Sequence, residues 1–222
     1  MKIYTLTLTY NRLPLLQRCV RSIKNSPISP QGIVVVDNSD NSDSYDWCKT
    51  QPDVTYVKGD NSLGVIARNL GLQVIPKDDD VVIFQVDDDA IATPNYFQIA
   101  EKYFSNPKIG AIGQDAWKLT NYEGFQTEGV SQVGARCHML TGYLWMWRAS
   151  LGIQYDGVNF PRFWREESDA QFQVIAKGYH VVKCEPLGGH ASHRSTIDWE
   201  LHNKNTAAFA QKWKGNINLE LS

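Results

Sequence analysis

The 222-residue sequence lacks several features that would assign it to a common class of protein. It has no run of eighteen apolar residues, and this absence excludes a membrane-spanning helix in the sequence given. None of its four cysteines forms a CxxC pair, which favours free thiols in a reducing compartment over a disulfide framework. The formal net charge is only −2, so nucleic acid is an unfavoured partner. We therefore expect a cytoplasmic protein, with peripheral attachment to a membrane as the alternative.

Several sequence motifs are also missing. No GxGxxG follows the first apolar segment and no GxxxxGK[ST] occurs anywhere, which excludes the dinucleotide-binding and P-loop classes. The cysteines and histidines match no zinc-finger spacing. Residues 1–10 alternate polar and apolar side chains, a pattern unlike that of a signal peptide. The composition, 42% hydrophobic and 21% charged, is that of a globular protein with a sizeable core.

What is present in the first half is an alternation of short apolar runs with segments of helical periodicity. The pattern predicts strands at 3–9, 32–36, 54–57 and 81–86, and helices at 12–24, 44–50 and 63–74. Continuous β-branched strands separated by helices predict an α/β fold, with a mostly parallel central sheet covered by helices on both faces. No linker divides the chain, so we expect one domain over residues 1–222.

The second half has a more mixed pattern. It predicts helices at 95–103, 168–177 and 198–213, strands at 109–112 and 179–184, and a loop or hairpin at 121–134. Residues 138–148 are rich in aromatic and apolar side chains and predict one strand, with a close backbone approach at Gly142.

Three consecutive aspartates, Asp87, Asp88 and Asp89, follow the apolar run Val81–Val86 directly. Adjacent carboxylates repel one another unless a cation or hydrogen-bond donors compensate, and hard oxygen ligands suit magnesium, manganese or calcium. A solvated acidic turn is the alternative. Thr9 and Asp37 also follow predicted strands at the sheet edge where α/β proteins bind ligands. This convergence favours a metal site.

Three other segments carry candidate functional groups. Arg68 lies near a predicted helix start, where its planar donor fork could bind a diphosphate, although a surface arginine is the alternative. Glu166, Glu167 and Asp169 open a helix, where they either cap it or supply a general base. His190 and His193 follow the strand predicted at 179–184 and are either metal ligands or solvated side chains.

The order and spacing of these segments resemble the family 2 glycosyltransferases. The resemblance covers nearly the whole chain through Thr9-Tyr10-Asn11-Arg12, the second strand ending in Asp37, and Asn61-Ser62-Leu63-Gly64 with Arg68. It continues through a DXD motif, Asp87-Asp88-Asp89, and through Glu166-Glu167-Ser168-Asp169 followed by Gly178-Tyr179. It implies a GT-A fold, with a Rossmann-like nucleotide-sugar-binding half at 1–90 and an acceptor-binding half at 91–222.

The resemblance also implies the chemistry. The expected activity is metal-dependent, inverting transfer of a sugar from a nucleotide diphosphate sugar to an acceptor hydroxyl on a glycan, glycolipid or glycoprotein, in polysaccharide biosynthesis or a related pathway. A UDP-sugar is the first expectation for the donor, with GDP- or dTDP-sugars as alternatives. A noncatalytic nucleotide-sugar or glycan-binding module with the same fold is the alternative function.

The implied site roles fall into three groups. Glu167 is the expected base, in a position where the family usually has aspartate, so Glu166 and Asp169 remain alternatives. Asp87, Asp89 and His190 are expected to bind manganese or magnesium, with His193 as the alternative histidine. The residues expected to bind the nucleotide-sugar are Thr9, Asn11, Asp37, Arg68, Asp87 and Asp88.

Overall fold

The structure is a computed structural model that describes residues 1–123, 125–190 and 198–220. Its helices are α1 (Leu13–Lys24), α2 (Asp43–Cys48), α3 (Arg68–Val74), α4 (Tyr96–Phe104), α5 (Glu166–Ala176) and α6 (Trp199–Trp213). Its strands are β1 (Lys2–Thr9), β2 (Gly32–Asp37), β3 (Val54–Lys58), β4 (Val81–Val86), β5 (Ala90–Ala92), β6 (Ile109–Gly113), β7 (Ala116–Asn121), β8 (Gln126–Gly129), β9 (Arg136–Cys137), β10 (Met139–Leu140), β11 (Leu144–Arg148), β12 (His180–Lys183) and β13 (Gly188–His190).

An eight-stranded central sheet has the order β3-β2-β1-β4-β11-β6-β12-β9. The first four strands of this order are parallel, and β11 is antiparallel to both of its neighbours. Because β1, β2 and β4 run in the same direction, their carboxyl ends meet at one edge of the sheet. The α/β fold with a mostly parallel sheet is therefore confirmed.

Both faces of the sheet are covered, which explains the continuous apolar runs. In β1, Ile3 packs with α1 and α4 on one face, while Leu6 packs with α3 on the other. Successive side chains of a strand point to opposite faces, so a strand buried on both sides must be apolar throughout. Helix α1 begins with Pro14 in its first turn, where the missing N–H costs no hydrogen bond.

The strand predicted at 138–148 is wrong as one element. Residues Met139–Leu140 form β10 in a small sheet with β7 and β8, and Leu144–Arg148 form β11 in the central sheet. Between them the chain turns at Gly142, whose carbonyl accepts a hydrogen bond from the amide of Gln85. The hairpin of β7 and β8 agrees with the turn predicted at 121–134.

The single helix predicted at 63–74 is also wrong in its first half. Residues 61–63 and 65–67 form two separate 3-10 turns, and the α-helix α3 begins only at Arg68. Gly64 has φ +54 and lies so close to the Arg162 backbone that a Cβ would collide with it. The N–H of Val65 donates to the Arg162 carbonyl at 2.9 Å. This contact with a distant segment overrides the local helical periodicity.

Helix α6 packs against α5 through a third apolar cluster that includes Phe172, Phe209 and Trp213. A buried carboxylate reinforces this contact: Asp169 accepts a hydrogen bond from Trp213 Nε1 at 2.8 Å and pairs with Lys212 at 2.7 Å. In the described part of the chain, no helix is both long and apolar enough to cross a membrane.

Candidate active site

A cavity of about 380 Å³ lies at the carboxyl ends of the parallel strands. We call it the first cavity. Thr9, at the end of β1, contributes to its wall together with Arg68 and all three aspartates of 87–89. Other parts of the wall are formed by Asn38, Gly64, Phe163 and His190. The structure thus brings together residues predicted from four separate segments of the sequence.

Arg68 is the central cation of the first cavity. Only 3% of its side chain is exposed, and its two terminal nitrogens pair with different carboxylates. Nη2 lies 2.7 Å from Asp87 and Nη1 lies 3.2 Å from Glu167. These two ion pairs raise the pKa of Arg68 above its usual value against the opposing effect of burial. The planar fork of arginine therefore links the DXD segment to helix α5.

The other two aspartates have different partners. Asp88 accepts a hydrogen bond from Thr9 Oγ1 at 2.8 Å, and the Arg12 guanidinium lies 3.4 Å from Asp88 and 3.5 Å from Asp89. Asp89 Oδ1 lies 3.0 Å from His190 Nε2. The DXD carboxylates are thus compensated by side chains from β1, α3, β13 and the residue preceding α1, not by solvent, so the acidic-turn alternative does not hold.

Burial has a large effect on Asp87. Desolvation, together with the nearby charges of Glu167, Asp88 and Asp89, raises its pKa to about 7, although Arg68 opposes the shift. Burial also raises the pKa of Asp88. A carboxylate cluster of this kind gains stability from any cation that enters it.

Two residues predicted to bind the nucleotide-sugar lie outside the wall of the first cavity. Asp37 has no exposed surface, and its oxygens accept hydrogen bonds from Ser39 N at 2.9 Å and Tyr56 Oη at 3.1 Å. Asn11 is exposed, and its N–H donates to Ser39 Oγ at 2.8 Å. Both residues therefore organise the loop after β2, next to the cavity.

The three acidic residues of α5 have distinct environments. Asp169 is fully buried and faces α6 through Lys212 and Trp213. Glu166 is also buried, and desolvation together with the Glu167 charge raises its pKa well above the usual value. Glu167 is 26% exposed and pairs with Arg68.

The Glu167 carboxylate occupies the space beside Gly142, where any other residue would have its Cβ. A Cβ added to Gly142 would overlap the Glu167 carboxylate, so the close backbone approach predicted at this glycine is confirmed. Gly142 also contributes to the wall of a second cavity of about 280 Å³, which is bounded further by Trp117, Phe125, Met139, Arg165 and Ser168. The Glu167 carboxylate therefore contacts a wall residue of each cavity, Arg68 on one side and Gly142 on the other.

The loop before α5 holds an unusual backbone conformation. Arg162, Trp164 and Arg165 have φ values of +71, +75 and +72, in the left-handed region that side chains other than glycine seldom adopt. Such strain persists only where surrounding contacts over-determine it, and it clusters at functional sites. Here Asn205 Nδ2 donates to the carbonyls of Phe163 and Trp164 at 2.9 and 3.0 Å.

Asp89 and His190 supply one carboxylate and one imidazole at a mutual distance of 3.0 Å, which suits a shared divalent ion. Within the described ranges no group of three or more histidine, cysteine or acidic side chains could hold a metal by itself. The donor set fits an ion that takes its remaining ligands from phosphate oxygens and water, as magnesium commonly does. His193, the alternative ligand, lies outside the described residues.

Sequence reasoning missed two features of this site. Arg12 was recognised only as part of a motif, although it contacts two of the three aspartates. The link between Arg68 and Glu167 joins residues 99 positions apart, and no local pattern reveals it. The signal available for Arg12 was a positive charge three residues after the end of the first strand.

Residues 5–151 match the family model for glycosyl transferase family 2. Among curated protein sequences, none matches significantly. Solved structures do resemble the chain: the mannosyltransferase PcManGT from Pyrobaculum calidifontis, in complex with GDP-Man and Mn²⁺, shares 17% identity at a TM-score of 0.68, over 98% of this chain and 65% of that one.

Two other structures give the same result. TarS from S. aureus with UDP-GlcNAc has 15% identity and a TM-score of 0.64, over 90% of this chain and 61% of that one. GalNAc-T7 with UDP, GalNAc and Mn²⁺ has 15% identity and a TM-score of 0.69, over 87% of this chain and 44% of that one. The chain thus spans less than two thirds of the length of these proteins, and the likeness shows a common fold. Because the family model covers more than half of its residues, the protein belongs to glycosyl transferase family 2 and has the GT-A fold.

Proposed function

We propose that the protein is a metal-dependent, inverting glycosyltransferase that moves a sugar from a nucleotide diphosphate sugar to an acceptor hydroxyl during glycan or glycoconjugate assembly. One observation carries the proposal: the Glu167 carboxylate lies between Arg68 of the first cavity and Gly142 of the second. A base in that position can serve a donor in the first cavity and an acceptor in the second.

The first cavity suits the donor. We assign the nucleoside side to Thr9, Asn11 and Asp37, where Asp37 acts by holding Ser39 and Tyr56 in place. Arg12 and Arg68 both contribute to the wall of the first cavity, and their guanidinium groups suit hydrogen bonds to a diphosphate. The similar structures support this assignment, since two of them contain GDP-Man or UDP-GlcNAc. A UDP-sugar, a GDP-sugar or a dTDP-sugar is compatible with the site.

We assign the divalent metal, manganese or magnesium, to Asp89 and His190, with Asp87 close by in the same wall. When bound there, the ion would supply Lewis-acid neutralisation of the departing diphosphate, which can contribute several kcal/mol. Two similar structures contain Mn²⁺.

The transfer itself is a direct displacement. Glu167 takes the proton of the acceptor hydroxyl, and the hydroxyl oxygen forms a bond to the anomeric carbon as the bond from that carbon to the diphosphate breaks. The electron pair of the broken bond leaves with the nucleoside diphosphate, whose charge Arg68 helps to stabilise. Attack from the face opposite the leaving group inverts the anomeric configuration.

Glu167 fits the role of base better than its neighbours. Asp169 faces α6 and is occupied by Lys212 and Trp213. Glu166 is buried, and its raised pKa favours the protonated form, which cannot accept a proton. Glu167 is partly exposed, and its ion pair with Arg68 at 3.2 Å fixes the direction of its carboxylate.

A panel of nucleotide-sugars tests the proposal. We expect one nucleotide class to raise the melting temperature in the presence of manganese, and the matching nucleotide-sugar to be turned over, to an inverted glycoside or by slow hydrolysis. Asp89→Asn should remove the manganese effect, while Asp46→Asn, at an exposed position on α2, should retain it. Nucleotide-sugar binding without turnover, in the presence of broad acceptor mixtures, would instead identify a noncatalytic binding module.

A further inference from the structure

The second cavity contains a cation that the proposed reaction does not use. Arg165 contributes to its wall beside Phe125 and Ser168. Its Nε donates to Thr206 Oγ1 at 3.0 Å, its Nη2 lies 3.0 Å from His202 Nε2, and its guanidinium carbon lies 3.4 Å from the centre of the Phe125 ring. All three contacts are with uncharged or aromatic groups.

Within the described residues, Arg165 forms no ion pair with a carboxylate, and its Nη1 has no hydrogen-bond partner. Burial lowers the pKa of Arg165 to about 10, although the nearby Glu166 opposes the shift. Burying half of a guanidinium without an ion pair costs desolvation free energy. An anion that accepts two parallel hydrogen bonds from the guanidinium offsets this cost.

The acidic residues nearest to Arg165 are already compensated. Glu167 pairs with Arg68, and Asp169 pairs with Lys212. Glu166, the remaining acid of the first turn of α5, is buried, with a pKa raised toward the protonated form. Among the described residues that form the wall of the second cavity, Arg165 is therefore the one with a charged side chain, and no carboxylate forms an ion pair with it.

We propose that the acceptor carries an anionic group, a carboxylate or a phosphate, that binds Arg165 in the second cavity and sets acceptor specificity. The inference rests on the proposed function, since it assigns the second cavity to the acceptor of that reaction. The hydroxyl to be glycosylated would then lie at Gly142, against the Glu167 carboxylate, while the anionic group lies at Arg165. The Trp117 and Met139 side chains supply apolar surface for the sugar ring between them.

Binding of simple saccharides by the full chain tests this inference without any donor. The probes are methyl β-glucuronide for a carboxylate, glucose 6-phosphate for a phosphate, and methyl β-glucoside as the neutral parent. Affinity is measured by NMR titration, in which the indole N–H of Trp117 reports binding in the second cavity. We expect one charged probe to bind about tenfold more tightly than the neutral one, a difference of about 1.4 kcal/mol, with a preference that weakens as salt is added.

The matched variants are Arg165→Gln and Arg162→Gln. Both remove one positive charge from the same loop at residues with nearly the same φ, so backbone strain is equal. Arg165→Gln should abolish the charge preference and Arg162→Gln should keep it. Equal binding of charged and neutral probes by the wild type, no shift of the Trp117 signal with any probe, or a preference that persists in Arg165→Gln would each overturn the proposal.

Two further measurements keep the test decisive. If Arg165→Gln fails to fold, Arg165→Lys keeps the charge and loses the planar fork, and a reduced preference is expected from it. Nucleotide-sugar binding with manganese is measured in parallel on the wild type. If the wild type binds a nucleotide-sugar but binds charged and neutral saccharides equally, only the Arg165 assignment is refuted. If it binds no nucleotide-sugar, the proposed function is refuted.

Discussion

The Glu167 carboxylate lies against the α-carbon of Gly142, leaving no space for a methyl group on that glycine. The contact joins the turn between β10 and β11 to the first turn of α5. It has a consequence for catalysis that differs from its consequence for stability, because the group in contact is the far end of a flexible side chain.

Gly142→Ala should lower the turnover number while leaving the melting temperature nearly unchanged. The added methyl displaces the Glu167 carboxylate, and a base moved by about 1 Å can cost on the order of 10²-fold in rate. Steady-state kinetics and thermal unfolding measure the two effects separately. Gly129→Ala is the control, since nothing lies within 4 Å of its added Cβ. Wild-type turnover in Gly142→Ala would show that Glu167 is not the base.

Glu167→Gln should reduce transfer by about 10²- to 10⁴-fold, the usual contribution of a general base, with donor binding retained. Glu166→Gln should remain near wild type, because a neutral amide replaces a buried carboxyl whose pKa is raised toward the protonated form. Single-turnover rates at saturating donor distinguish the two variants. A larger loss in Glu166→Gln than in Glu167→Gln would transfer the catalytic role to Glu166.

Asp169→Asn should destabilise the fold without a direct effect on the chemical step. It leaves the Lys212 ammonium without one of its carboxylates in the contact between α5 and α6, at a cost of about 3 kcal/mol. Urea unfolding measures the change. Lys214→Gln, which breaks the exposed pair of Lys214 with Glu123, serves as the control and should leave the unfolding midpoint unchanged. An unchanged midpoint in Asp169→Asn would mean that α6 is held by its apolar contacts alone.

His138 should make the fold sensitive to mild acid. It is fully buried, its Nδ1 accepts the Leu119 N–H at 3.0 Å, and burial lowers its pKa to about 4 from the usual 6.5. Since the unfolded chain binds the proton more readily, the stability that depends on neutral His138 is complete above about pH 6.5 and decreases by about 3 kcal/mol as the pH falls to 4.

The control for this pH effect is His138→Asn, whose side-chain oxygen can still accept the Leu119 N–H but does not titrate. The difference in unfolding free energy between wild type and variant should therefore change between pH 6.5 and 4. Parallel stability curves for the two proteins would exclude His138 as the cause.

The sequence was a good guide where burial alone decides the structure. Strands β1, β2 and β4 are continuous β-branched runs because both faces of the sheet are covered, and the pattern predicts them nearly to the residue. The positions of Thr9, Arg68, the three aspartates and His190 around one cavity followed from the family resemblance and the common direction of these strands.

The sequence was a poor guide where contacts between distant segments determine the backbone conformation. The turn at Gly142 divides a segment that otherwise has the composition of one strand, because Glu167 and Gln85 occupy the space around it. The contact between Gly64 and Arg162 likewise interrupts the helix predicted at 63–74, so that α3 begins only at Arg68. The compensation of Asp88 and Asp89 by Arg12 likewise depends on three-dimensional proximity.

The bridge between Gly64 and Arg162 lies just before both members of the ion pair between Arg68 and Glu167. The hydrogen bond from Val65 to Arg162 ties the segment that leads into α3 to the segment that leads into α5. The distance between the Arg68 cation and the Glu167 base is therefore set by a backbone contact between their two segments as well as by the ion pair itself.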